Sequence, residues 1–468
     1  MRTEREAVRW PALVALSLGF GVVQLDVTVV NVAVNRIGAS IGGGVSAMQW
    51  VVSAYTLAFA SLILSAGAFG DRVGAKRVFV AGFALFTLAS AACAAAPDVG
   101  VLIAARAVQG VGAAVLVPCS LALLNHAYDD PGARARAVGW WAAGASCAFA
   151  AGPVLGGVLI AVAGWRSIFL INLPLGALAI AVVRRHLAET SRSPGRGLDV
   201  RGQALGALAL GLAATATIEG GAVGFGAPLV LVAYLVAAAS AVGFVVVESR
   251  GSEPMLPLGL FGEPTFGATA AIGLLINVCF YGLIFVFSLL FQRAHGLSPL
   301  DAGLGFLPMT VAVGAANVLA GRLAERYGVG MVIASGLVLM AATSGVLAAT
   351  VSGASPVAIA AILIALGGGI GLVVPLVTSE MLGSVPRARS GIASATLNSS
   401  RQTGSVIGVA LFGSLIAGHR DILSGVQLAL LISIALLLTS TVLCRRLGPQ
   451  REGMLGRESS HGRNLSTR

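Results

Sequence analysis

Apolar residues run through this chain in long blocks, broken by short polar, basic or glycine-rich stretches. A helix needs about 20 apolar residues to cross the hydrocarbon core of a bilayer. Fourteen such segments are read: 11–35, 47–69, 77–97, 100–124, 136–162, 167–184, 202–219, 228–247, 266–291, 300–321, 330–350, 356–382, 391–417 and 425–444. The pattern predicts an all-α polytopic membrane protein. The longest stretches between and after them (185–201, 248–265 and the tail 445–468) are too short for a soluble domain. The tail is rich in Arg, Ser and Gly, a composition expected to be disordered.

The charges orient these segments. With the N-terminus in the cytoplasm, alternation puts 24 of the 30 Lys and Arg on the cytoplasmic side. Only Arg36, Arg166, Arg293 and Arg420 fall outside, and Arg106 and Arg401 lie within segments. That split predicts both termini in the cytoplasm. It also explains the net charge of +11 as topology, so nucleic acid is not an expected partner. Trp10, Trp50, Trp140, Trp141 and Trp165 fall near segment ends, where an interfacial belt is expected.

Composition agrees. Hydrophobic residues make up 57% of the chain, charged residues 10%, and mean hydropathy is +0.92. The first segment follows a short charged start and has no cleavage signature, so it is expected to stay as an anchor. Cys93, Cys119, Cys147, Cys279 and Cys444 lie in apolar segments without a Cys-x-x-Cys pair, and the five histidines do not cluster. Neither a metal site nor a catalytic nucleophile is indicated, and no cofactor is expected. Ala-, Gly- and Arg-rich usage with one lysine fits a bacterium with a high-GC genome.

The chain repeats itself. Gly67, Asp71, Arg72, Gly74, Val78 and Gly82 recur as Gly321, Glu325, Arg326, Gly328, Val332 and Gly336, all at offset 254. Gly110, Gly112, Val117 and Pro118 recur at offset 257 as Gly367, Gly369, Val374 and Pro375. The repeat predicts two six-helix halves, 1–200 and 251–446, with a helix pair inserted at 201–250 and a tail at 447–468. Repeated halves around a central site are the architecture of alternating-access transporters.

Five places carry candidate chemistry. Asp26 lies within an apolar segment, where a carboxylate costs several kcal/mol without a partner or a task. Arg106 lies several residues into the segment 100–124, followed by Gln109. It either snorkels to the outer interface or pairs with Asp26, whose depth it shares to within a side chain's reach. The stretch Gly67, Asp71, Arg72, Gly74, Lys76, Arg77 reads either as positive-inside decoration or as a cytoplasmic gating latch, and its recurrence favours the latch. Gly144, Gly152, Pro153, Gly156 and Gly157 allow close packing and a kink, a bland role that suffices physically. Arg401 either lines a cavity or binds helix-end carbonyls. Asn31, Gln109, Asn277, Tyr281, Asn317, Asn398 and Gln402 are polar groups that could line the same cavity or join helices. Glu219 and Glu380 are read as interfacial, and the inserted pair as peripheral.

These residues resemble the major facilitator superfamily, specifically its fourteen-helix drug/proton antiporter branch (EmrB/QacA type). The stretch from Gly67 to Arg77 is similar to the family's loop motif, departing from it at Ala75. Leu25 to Ala33, Arg106 to Gly112, Gly144 with Gly152 to Gly157, Trp165 to Pro174 and Ser400 to Gln402 are similar to its helix motifs. The resemblance implies the major facilitator fold, and a proton-coupled antiporter that exports small hydrophobic or cationic organic compounds from the cell across the inner (plasma) membrane. It implies proton coupling at Asp26 and Arg106, and an antiporter role for the motif from Gly144 to Gly157. A dedicated exporter of one metabolite is the alternative within transport; a non-transporting membrane sensor is the alternative outside it. No Gly-x4-Gly-Lys-Ser/Thr loop is present, so an ion gradient is the expected energy source.

Overall fold

A computed structural model describes residues 2–128, 130–190, 199–251, 254–386, 389–419 and 421–447. The tail beyond 447, and Arg192, Arg196, Arg387 and Arg420 of the charge pattern, lie outside the described residues. Long helices follow one another: α1 (Arg2–Ile41), α2 (Val45–Val73), α3 (Ala75–Ala95), α4 (Val99–Ala127), α5 (Pro131–Ala163), α6 (Ser167–Leu170), α7 (Asn172–His186), α8 (Val200–Val223), α9 (Pro228–Arg250), α10 (Pro264–Leu289), α11 (Pro299–Tyr327), α12 (Val329–Thr350), α13 (Pro356–Gly383), α14 (Ser390–Ala417) and α15 (Ile422–Leu443). Pro131, Pro228, Pro264, Pro299 and Pro356 open helices, where a missing N–H costs nothing. Side chains of Asp98, Asp130, Asp199, Ser298, Ser355 and Asp421 cap free N–H groups.

Among the described residues, 13 helical stretches are long and apolar enough to cross a membrane, α6 and α7 counting as one. Helix α14 falls outside that count although it is 28 residues long. Its polar run Asn398, Ser399, Ser400, Arg401, Gln402 lowers its hydropathy. The segment expected at 167–184 is broken at Ile171. Pro174 has no N–H to give the Leu170 carbonyl, which removes one helix hydrogen bond at this break.

Packing follows the glycines. Helix α4 lies on α3 so closely that a Cβ at Gly112 would stand 2.8 Å from the Gly82 carbonyl oxygen. Helix α13 meets α12 the same way: a Cβ at Gly369 would stand 2.7 Å from the Gly336 oxygen. Gly110 and Gly367 seat the same two helices on α2 and α11. The residues that repeat in sequence therefore make the same contacts in space. Helix α10 is the most enclosed, with almost every residue from Phe266 onward buried.

Helices α8 and α9 pack on each other, but they do not stand apart together. Helix α9 is largely exposed, whereas α8 packs against both α2 and α14. Gln203 Nε2 donates to the Ser61 carbonyl, Ser65 Oγ donates to Gln203 Oε1 at 2.5 Å, and Trp50 Nε1 donates to Glu219 Oε1 at 3.3 Å. Glu219 is thus held in a helix contact. Glu380, read as interfacial, is buried. The tryptophans are also not one belt. Trp10 and Trp140 are exposed and face each other, while Trp141 is buried, stacks on Phe20 and donates to Ser120 Oγ.

The turn from α2 to α3 needs glycine at one place: Gly74 has φ of 112°. A side chain there would also meet the Glu189 carboxylate, at 2.7 Å from the Cβ position. Gly74→Ala is expected to lower thermal stability by about 1–3 kcal/mol for the strained backbone alone. A fluorescence-detected melt of the purified variant checks this.

Candidate functional site

Asp26 is the centre of a polar cluster sealed among α1, α2, α3, α4, α6 and α7. It is 3% exposed in mid-α1, and Arg106 on α4 is 1% exposed. Arg106 Nη1 donates to Asp26 Oδ2 and, at 2.7 Å, to Gln109 Oε1. Its Nε donates to the Val51 carbonyl at 3.1 Å, and the guanidinium lies 4.3 Å from the centre of the Tyr55 ring. Gln109 Nε2 donates to Asp26 Oδ1 at 3.0 Å and to Ser90 Oγ at 3.2 Å. Asn172 Nδ2 reaches Ser90 Oγ at 2.9 Å and Asp26 Oδ1 at 3.5 Å. Ser90 Oγ donates to the Phe169 carbonyl at 2.9 Å.

Asp26, Gln109, Asn172 and Ser90 satisfy one another's side-chain groups, while the Tyr55 hydroxyl beside them is buried without a partner. A buried ion pair of this kind is a poor source of stability, because desolvation cancels much of the attraction.

Sequence reasoning named Asp26, Arg106 and Gln109, and the structure brings all three together. Asn172 entered only as part of a motif, and Ser90 not at all. The signal for Asn172 was the helix break before Pro174, which sets it at the start of α7, in reach of α1 and α3. Ser90 is one of many small polar residues in apolar helices and carries no distinguishing pattern.

The glycines of α5 divide between two neighbours. Gly144, Gly152 and Gly156 face Ser17, Thr28 and Val29 on α1. Gly157 faces Leu300, and Pro153 faces Gly303, both on α11. Hydrogen bonds between early and late helices gather toward the Gly42–Gly44 turn. Ser288 Oγ donates to the Asn31 carbonyl at 2.5 Å, Gln292 Nε2 to the Val32 carbonyl at 3.0 Å, and Arg293 Nε to Asn35 Oδ1 at 3.0 Å. Gln49 Nε2 donates to the Val409 and Ala410 carbonyls. The bundle is closed at this end.

At the Gly74 turn a residue not singled out from the sequence holds the centre. Glu189 accepts from the backbone N–H of Lys76 at 2.8 Å and of Arg77 at 3.2 Å, capping the first turn of α3. Lys76 Nζ donates to the Leu187 and Arg184 carbonyls. Asp71 and Arg72 are exposed at the end of α2, and Gly67 faces Pro118. Glu189→Gln keeps hydrogen-bond acceptance by one oxygen and loses the charge. A loss of about 0.3–1 kcal/mol of stability is expected, the range for a charge at a helix N-terminus, readable in the same melt.

The remaining polar candidates do not join the cluster. Asn31, Asn277 and Asn398 donate to carbonyls one turn back in their own helices. Asn317 Oδ1 and Gln402 Oε1 are buried without a partner. Tyr281 on α10 packs with Phe280 and with Phe149 of α5. Arg401 Nη2 donates to the Val374 carbonyl at 3.0 Å and to Thr378 Oγ1 at 2.6 Å.

A family model of the Major Facilitator Superfamily matches residues 16–409, with a second match over 269–462. The chain belongs to this superfamily. It is 39% identical over 407 residues to the methylenomycin A resistance protein of Bacillus subtilis, covering 86% of this chain and 87% of that one. It is 36% identical over 406 residues to the multidrug resistance protein Stp of Mycobacterium tuberculosis, covering 86% and 75%. Among solved structures, a D-xylose–proton symporter superposes with a TM-score of 0.68 at 12% identity, over 95% of this chain and 98% of that one.

Proposed function

We propose that this protein is a proton-coupled antiporter that exports small organic compounds, antibiotics among them, across the bacterial inner membrane. The observation that carries the reading is the sealed ion pair of Asp26 and Arg106. A transporter driven by protons needs a group that is ionised in one state and protonated in another, out of contact with both sides at once. The names of the relatives, resistance to methylenomycin A and to multiple drugs, supply the cargo class.

In this reading the chain spans the membrane fourteen times, α14 included, with both termini cytoplasmic. Two six-helix halves, α1–α7 and α10–α15, enclose the path, and α8 and α9 are the inserted pair. The matching contacts of Gly112 with Gly82 and of Gly369 with Gly336 support the duplication. The closed Gly42 end is then the outer end, and the state is inward-facing. The Gly74 turn and its neighbours Asp71, Arg72, Lys76 and Arg77 form the cytoplasmic latch. The antiporter motif on α5 contacts α1 on one side and α11 on the other, so it forms part of the surface on which the halves move.

The cycle follows from the pair. With Asp26 ionised and held by Arg106, the inward-facing cavity takes the drug from the cytoplasm. Reopening outward separates the pair, the acid gains a proton, and the drug leaves. Return inward remakes the pair and expels the proton.

The test uses everted membrane vesicles with an acidified lumen. Adding methylenomycin A is expected to cause proton efflux in vesicles containing the protein, and an uncoupler should stop drug uptake. Drug uptake that is insensitive to the uncoupler would sink proton coupling. A narrower second reading, a dedicated exporter, is favoured by the relative named for a single antibiotic. Resistance confined to one compound in a panel of unrelated drugs would select it.

A further inference from the structure

The two polar centres of the chain differ in charge balance. On α1 and α4 the cation Arg106 meets an acid, so the cluster is neutral. On α14 the cation Arg401 does not. No ion pair joins it to a carboxylate among the described residues. Its Nη2 is held by the Val374 carbonyl and the Thr378 hydroxyl, both neutral, and that hydroxyl spends its own proton on the same carbonyl. Its Nε is buried with no acceptor. Glu380 is two residues beyond Thr378, about 200° round α13, and so faces elsewhere.

An unbalanced guanidinium deep in a membrane protein is costly unless something with negative charge comes to it. The surroundings say what that could be. Val374, Thr378, Asn398 and Arg401 are partly exposed, so the site is reachable. The Arg401 side chain runs beside Gly273 of α10, with its Cγ 3.8 Å from the Cβ position there. Asn277 and Tyr281 follow at one and two turns on the same face, and Tyr281 meets Phe280 and Phe149. From Gly273 to Tyr281 is about 12 Å at the helical rise. This face of α10 therefore has a cation at one end and a cluster of buried aromatic rings at the other. The ring centroids of Phe149 and Tyr281 are 6.3 Å apart, across the junction of α5 and α10.

Building on the export reading above, we propose that Arg401 is a substrate-binding residue, and that the preferred cargo is an apolar or aromatic molecule carrying an ionised acid group. The acid docks on the free donors of Arg401, and the apolar body extends along α10 to Phe149 and Tyr281. A planar guanidinium suits a carboxylate, which it can hold with two parallel bonds. A cationic drug meets like charge in the same place.

Three matched probes test this in everted vesicles: 2-naphthoate, its uncharged carboxamide, and 2-naphthylmethylammonium. The wild type is expected to accumulate the acid at least tenfold better than either of the others. Arg401→Gln should bring acid uptake down to that of the amide, and Arg401→Lys should recover part of it. Preference for the ammonium by the wild type would overturn the assignment while leaving export intact. So would acid uptake by well-folded Arg401→Gln equal to that of the wild type. The ranking by the wild type alone decides the matter if the Gln variant does not fold. Failure of the wild type to accumulate any of the three uphill would overturn the export reading and this inference together.

Discussion

Asp26→Asn is expected to abolish uphill drug accumulation, leaving at most equilibration down the gradient. The side chain keeps its shape, and its single oxygen can still accept from Arg106, while its amide nitrogen takes the place of the oxygen that faced Gln109. What it loses is the ability to exchange a proton. A membrane potential of about 100 mV contributes roughly 2.3 kcal/mol per charge moved. Each unit of pH gradient adds about 1.4 kcal/mol. The pH gradient reaches the drug only through a titrating group. The cost to folding is that the buried Arg106 loses its counter-charge and keeps only neutral partners, the Val51 carbonyl, Gln109 and the Tyr55 face among them. Breaking a buried pair this way costs about 3–5 kcal/mol. The double variant Asp26→Asn/Arg106→Gln removes both charges and should melt close to the wild type, still without transport. Substrate-induced proton release in detergent should be present in the wild type and absent in both variants. If Asp26→Asn still concentrates drug against a gradient, the proton travels elsewhere and this site is structural.

The second large effect is on assembly. Gly112→Val and Gly369→Val should each reduce folded protein in the membrane severely, and to a similar degree. A Cβ at either site would enter backbone, at 2.8 Å from the Gly82 oxygen and 2.7 Å from the Gly336 oxygen. Backbone cannot turn aside as a side chain can, so the two helices must separate. Overpacking typically costs about 1–3 kcal/mol, and loss of this contact along whole helices exceeds that. Gly139→Val is the control, because nothing lies within 4 Å of a Cβ there. Size-exclusion profiles of fluorescently tagged variants report the outcome. Equal recovery of Gly112→Val and the control would mean that the helix contact tolerates a wider spacing than its geometry indicates.

Most of the helices were legible because burying a backbone in lipid leaves few choices, and the length of an apolar run speaks directly to it. The approach of Arg106 to Asp26 was legible for a related reason: two opposite charges at similar depth have few other partners. What the sequence did not reveal is lateral position. Hydropathy places α8 in the membrane, but only packing places it against α2 and α14. Glu189 was hidden because a cap is made by distance in space, and its partners Lys76 and Arg77 stand more than a hundred residues earlier. Trp141 was misplaced because proximity to a helix end does not say whether a ring faces headgroups or another helix. Ile171 shows the opposite case, where one proline in the sequence was enough to explain a break once it was seen.

The attachment of α8 makes the two flanks of the molecule unequal. Besides the Thr217–Tyr234 bond to α9, its polar ties, through Gln203 and Glu219, run to α2. Toward α14 it offers a glycine, Gly221, pressed on Ser414 so closely that a Cβ would stand 2.9 Å from the serine carbonyl oxygen. A helix tied to one neighbour by hydrogen bonds and to the other by close packing alone is expected to follow the first wherever the two part, so α8 is a brace carried by α2, lying along the seam where α2 and α14 pack on each other.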